Sequence, residues 1–94
     1  MIKSPNYTQI PNEYFDSIMK QLNGSENIIF LAIMRKTFGC NKEKDRISYS
    51  QIMELTGIKS KETISNSLKS LETKGFITIE RTGQQCFYSV YKLT

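Results

Sequence analysis

One stretch in the second half of the chain narrows the fold more than any other. Leu55-Thr56-Gly57-Ile58 is followed by Ile64, Leu68 and Leu71, and the stretch ends at Gly75-Phe76-Ile77. Apolar residues at i, i+4 and i+7 form a single helical stripe, so a helix runs from near Ser60 to about Lys74 and buries that side. Gly57 supplies positive φ for a tight turn before the helix, and Gly75 stops it. Just upstream, Ser48 and Gln51 have capping-box spacing, which starts a short helix with Ile52 and Leu55 inward. Two helices joined by a short glycine turn, the second with a free polar face, constrain this segment to a helix-turn-helix over 52–74.

The flanking segments complete the architecture. Pro5 and Pro11 keep residues 1–11 extended, as an arm. Asn12 precedes Glu13 and Asp16 and starts a first helix whose apolar set is Phe15, Ile18, Met19 and Leu22. Asn23-Gly24 breaks it. Ser25 caps the next helix, where Ile28, Ile29, Leu31, Ala32, Ile33 and Met34 leave little polar face, so it is the buried centre. Gly39 ends it, and residues 40–46 form a polar loop. Ile47-Ser48 contributes a short strand or an extended entry. After Gly75, residues 76–81 and 87–92 read as strands rich in β-branched and aromatic residues, joined through Thr82-Gly83-Gln84-Gln85 as a hairpin. The order helix, helix, short strand, helix, turn, helix, hairpin is that of an α+β, mostly helical winged helix-turn-helix, a single domain over 1–94 with a C-terminal β-hairpin wing at 76–92.

Composition excludes much. A chain of 94 residues holds one modest core. There is no histidine, so no imidazole base and no histidine-ligated metal. Cys40 and Cys86 lie far apart and read as reduced thiols. No phosphate-loop motif occurs. The longest apolar run, Ile28 to Met34, is too short for a membrane helix. No signal peptide is visible behind Lys3. The expectation is a cytoplasmic binding domain without catalytic residues, metal or cofactor.

Charge points toward a partner. The net is +4. Residues 1–34 carry two basic and three acidic side chains, whereas 35–94 carry eleven basic and six acidic. A basic half suits a polyanion, with double-stranded DNA the expected partner. With Ile64 inward, the helical step turns Glu62, Asn66, Lys69 and Thr73 outward, flanked by Ser65 and Ser70. Asn can bond adenine N6 and N7 together, and Lys can reach guanine or a phosphate. Lys59, Ser60 and Lys61 sit at the helix N-terminus, which favours phosphate. Each residue also has a plainer reading as solvated surface. Glu62 either accepts from cytosine N4 or pairs with Lys59 or Lys69. Arg81 either contacts phosphate or minor groove, or forms a surface ion pair with Glu80 or a neighbour. Gln84 stands at the wing tip, and Tyr49 opens the short helix where backbone contacts are common. Lys42, Lys44 and Arg46 read as a solvated loop. The candidate DNA contacts are Tyr49, Lys59, Ser60, Lys61, Ser65, Asn66, Lys69, Thr73, Arg81 and Gln84.

Several runs of residues resemble a known family. They are Tyr7-Thr8-Gln9-Ile10-Pro11-Asn12, Arg35-Lys36-Thr37-Phe38-Gly39-Cys40-Asn41-Lys42, Asp45-Arg46-Ile47-Ser48 and Leu55-Thr56-Gly57. Together they resemble the N-terminal domain of bacteriophage replication protein O, the origin-binding initiator of lambda-like phages, over residues 7–80. The likeness implies binding to repeated origin sites, often as a homodimer. It also implies recruitment of helicase-loading replication proteins through a region absent from this chain. Phe38 and Cys40 stand where the family often has Tyr and Trp. Six steps separate Gly57 from Thr63, where many winged helices have five, so the turn is longer or the helix start is shifted. The residues alone leave two alternatives open, a winged-helix transcriptional regulator and a winged-helix protein-interaction module.

Overall fold

The computed structural model describes residues 8–37, 44–82 and 85–90. It is an α+β winged helix. A helical segment (Tyr14–Ile18 and Met19–Gln21) leads into α1 (Gly24–Thr37), β1 (Asp45–Arg46), α2 (Tyr49–Thr56), α3 (Lys61–Thr73), β2 (Ile77–Thr82) and β3 (Gln85–Val90). The three strands form one antiparallel sheet in the order β1-β3-β2.

The first helical segment is not the regular α-helix its apolar spacing predicts. Tyr14–Ile18 is one π-helical turn in which the Met19 N–H donates to the Tyr14 carbonyl. The wider turn brings Tyr14, Ile18 and Leu22, each four apart, onto the inner face, all buried. Phe15 and Met19, expected inside, are 49% and 41% exposed. Tyr14 takes the inner place because its hydroxyl donates to Asn27 Oδ1 at 2.9 Å while its ring packs on Phe30. Of the expected arm, residues 8–11 are described, with Ile10 packed against the core.

α1 is capped by Asn23, not by Ser25. The Asn23 side chain accepts from the Glu26 N–H at 2.8 Å, and the Glu26 carboxylate accepts from the Asn23 N–H at 2.9 Å. That reciprocal pair places Asn23 at the N-cap and Glu26 at N3, with Ser25 inside the first turn. Ile29, Phe30, Ile33 and Met34 are fully buried, so α1 is the centre of the core. Ile28, on the opposite side, is 45% exposed, which corrects its expected burial. The stop at Gly39 lies outside the described residues.

β1 falls at Asp45–Arg46, where the sequence predicted loop, rather than at Ile47-Ser48. Asp45 pairs with Tyr88 and Arg46 with Phe87, so the hairpin recruits the residues just before buried Ile47. β2 and β3 pair from Ile77↔Val90 to Thr82↔Gln85. The expected strand residues Tyr91 and Lys92 lie outside the described residues.

α3 docks on α1 through Ile64, Ser67, Leu68 and Leu71, all buried. Its C-terminus closes as a Schellman motif: the Phe76 N–H donates to the Leu71 carbonyl and the Gly75 N–H to the Glu72 carbonyl, both at 3.0 Å. Gly75 takes the left-handed φ of 84° that this turn requires. A polar tie adds to the apolar contact. Glu26 is 3% exposed and faces Lys74, whose ammonium donates to Glu26 Oε1 at 3.0 Å and to the Gln21 carbonyl at 3.2 Å. Burial pushes the Glu26 carboxyl up. Hydrogen bonds from Ser70, the Asn23 N–H and Lys74, with the Lys74 charge, outweigh burial and hold the carboxyl below its ordinary value of 4.5.

A carboxylate held down in the folded state stabilises the fold above its unfolded pKa, and that stability is lost as pH falls through the folded value. The melting temperature of the wild type is therefore expected to drop as pH is lowered below 4.5. A Glu26→Gln variant should melt lower at neutral pH, by about 1–3 kcal/mol of stability. The lower end of that range applies because Lys74 is 39% exposed and its charge is screened. The variant should also show a shallower acid dependence, and parallel curves for the two proteins across pH 3–7 would contradict the tie. Leu68→Ala, at a position 3% exposed, should cost about 2–5 kcal/mol in denaturant melts through the cavity it opens.

Candidate nucleic-acid interface

The turn that sets α3 in place is built from local hydrogen bonds. Ser48 Oγ accepts from the Gln51 N–H and Gln51 Oε1 accepts from the Ser48 N–H, so the capping box forms as its spacing predicts. α2 ends at Gly57, whose φ of 77° is left-handed. The Thr56 hydroxyl donates to the Ile52 carbonyl at 2.7 Å and accepts from the Ile58 N–H at 3.2 Å, stitching the turn to the end of α2. Ser60 then caps α3 by accepting from the Thr63 N–H at 3.2 Å. The additional step between Gly57 and Thr63 is thus taken up in the turn. Leu55, expected inward, is 47% exposed. In so short a helix, Ile52 fills the contact with α1, and Ile58 packs in from the turn.

The outward face of α3 matches the helical-wheel reading. Glu62, Asn66, Lys69 and Thr73 are exposed, and Ser65 and Ser70 are half-buried at its sides. Lys59, Ser60 and Lys61 are exposed at the N-terminal end. The result is a polar ridge with two lysines where the free N–H groups of α3 begin. Glu62 forms no ion pair with Lys59 or Lys69 among the described residues. Its helix-spaced neighbours at i+3 and i+4 are Ser65 and Asn66, which carry no charge.

The wing meets α3 through a charge pair. Arg81 Nη1 lies 3.5 Å from Glu72 Oε2, side chains 57% and 36% exposed. The partner of Arg81 is thus on α3, and Glu80 instead holds Lys44 at 2.8 Å. Lys44, read from sequence as solvated loop, also lies 5.4 Å from the centre of the Phe87 ring. Exposed pairs of this kind contribute about 0–1 kcal/mol. Gln84 lies outside the described residues.

A groove of about 560 Å³ runs between the start of α2 and the sheet, lined by Arg46, Ser48, Tyr49, Gln51, Cys86 and Tyr88 among others. Arg81 is the cross-strand partner of Cys86, so both point to the same side of the sheet as the groove. Burial pushes the Tyr88 phenol up to about 12; Cys86 and Tyr49 add to this and the Arg81 charge opposes it. Tyr49, half-buried, is therefore on the same side as Arg81. Arg46 lines this groove too, a position that sequence reading assigned to a solvated loop. The non-local β1–β3 register pairs Arg46 with Phe87, so its side chain lies on the face of the sheet opposite Cys86 and Arg81. Cys86 is a free thiol, and Cys40 lies outside the described residues. Among the described residues, no helix is long and apolar enough to cross a membrane, and no group of three or more potential ligands could hold a metal ion.

The element order, the strand order and the outward ridge of α3 define a winged-helix domain. The chain belongs to the bacteriophage replication protein O family, whose model matches residues 4–91. It is similar to replication protein 15 of Enterobacteria phage phi80, 36% identical over 81 residues. That match covers 85% of this chain and 26% of the phage protein, so the chain spans about a quarter of that relative's length. No solved structure matches the chain.

Proposed function

We propose that this chain recognises double-stranded DNA, with α3 in the major groove and the wing along the adjacent backbone, at repeated sites of a phage-type replication origin in the bacterial cytoplasm. The observation that carries the reading is the outward ridge of Glu62, Asn66, Lys69 and Thr73, opposite the buried stripe and headed by exposed Lys59 and Lys61. Membership of the replication protein O family supports the replication setting over a promoter operator. In this reading Lys59, Ser60 and Lys61 meet backbone phosphates at the start of α3. Ser65, Asn66, Lys69 and Thr73 face base edges and the groove wall. Tyr49 meets a phosphate flanking α2. Arg81 exchanges Glu72 for the backbone, and Gln84 reaches the duplex from the wing tip. Pairing of two copies on adjacent repeats and recruitment of helicase-loading proteins belong to the same proposal. The domain binds; no catalytic step or cofactor is assigned to it.

The test is selection from a random duplex library with a salt titration. The wild type should enrich one motif and bind with a steep salt dependence. Lys69→Ala should weaken binding to all sequences alike and lower the salt slope by about one. Asn66→Ala should relax preference at one position by about 1–3 kcal/mol. Absence of both enrichment and salt-dependent binding at low ionic strength would overturn the reading. It would favour a protein-interaction module, for which exposed Phe15, Met19 and Ile28 provide apolar surface.

A further inference from the structure

Glu62 is the acidic member of the outward ridge; in the first turn of α3 it suits the helix dipole, but among the described residues its carboxylate has no hydrogen-bond or ion-pair partner. It is exposed in the first turn of α3. Among the described residues it forms no ion pair with Lys59, Lys61 or Lys69. Three other carboxylates on or near α3 have partners, Glu26 with Lys74, Glu72 with Arg81 and Glu80 with Lys44, while Glu54 on α2, like Glu62, has none among the described residues. A free carboxylate facing a polyanion costs affinity for any sequence, because it repels phosphate. It gains something back only where a base edge offers it a hydrogen-bond donor.

A carboxylate accepts and cannot donate. In the major groove the donors are cytosine N4 and adenine N6. Adenine sets its N7 acceptor beside that donor, guanine shows two acceptors, and thymine shows an acceptor and a methyl group. Cytosine is thus the base whose own edge offers a carboxylate a donor without an adjoining acceptor. The N-terminal residues of a recognition helix are those that reach base edges, and Glu62 is the second residue of α3. We propose that Glu62 is a specificity-determining residue that selects cytosine at one position of the DNA site. The inference rests on the reading of α3 as the DNA-contacting helix. Its consequence is that the domain trades non-specific affinity for discrimination.

The experiment compares the wild type with Glu62→Gln in the same random-duplex selection, after thermal melts show that both are folded. Glutamine is nearly isosteric, carries no charge and can bond adenine N6 and N7 together. The wild type should enrich a motif with cytosine at one position, discriminating there by roughly 5- to 150-fold. Glu62→Gln should move that position from cytosine toward adenine, leave the other positions as they were, and bind random duplex more tightly. As a second readout, removing the N4 amino group of that cytosine should weaken wild-type binding and leave Glu62→Gln indifferent. If the wild type enriches a motif and Glu62→Gln enriches the same one unchanged, the inference about Glu62 is wrong and the reading of α3 stands. If the wild type enriches no motif, the reading of α3 fails and the inference falls with it.

Discussion

Glu26 sits where three elements meet. Its carboxylate accepts from the Asn23 N–H at the start of α1 and from the Lys74 ammonium just past the end of α3. Lys74 also reaches the Gln21 carbonyl, tying in the N-terminal helical segment. A carboxylate only 3% exposed tolerates little displacement, because each lost donor leaves part of a charge unsolvated. This cluster therefore fixes how α3 is rotated against α1. Apolar contacts through Ile64, Leu68 and Leu71 would permit some sliding; directional hydrogen bonds at one end do not. Everything proposed for the outer face depends on that rotation, since one residue of slip would turn Asn66 and Lys69 aside by about 100°.

The parts of the fold that were legible in the sequence are those decided locally. The Ser48–Gln51 capping box, the start of α3 near Ser60, the left-handed Gly57 and the stop at Gly75 each depend on residues within one turn. The α3 stripe was legible because its apolar residues are widely spaced among polar ones. The errors have non-local causes. Tyr14 displaces Phe15 from the core because its hydroxyl has a partner on α1, thirteen residues away. β1 forms at Asp45–Arg46 because β3 reaches there, which no property of those two polar residues announces. The Asn23 cap was the exception: its partner Glu26 stands at capping-box spacing, and the nearer Ser25 drew the assignment away.

The candidate site divides along the same line. Which residues of α3 face outward followed from helical periodicity. What those residues and their neighbours are paired with did not. Arg81 meets Glu72, and Lys44 meets Glu80, because of hairpin register and the docking of the wing on α3. The unbound domain thus keeps two of its cations near the sheet neutralised by exposed, weakly held carboxylates. Lys59, Lys61 and Lys69 form no such pairs among the described residues, so they set the field an approaching polyanion would meet first.

The central claim is that the outer ridge of α3, with the wing beside it, is the surface that meets DNA. The most direct measurement is amide chemical-shift mapping of the isotopically labelled chain titrated with a duplex at low ionic strength. The account predicts that the perturbed amides cluster at residues 59–73, at the start of α2 and along the wing, with those near Phe15, Met19 and Ile28 unmoved. Perturbations centred on that apolar face instead, or spread without preference over the whole chain, would contradict it.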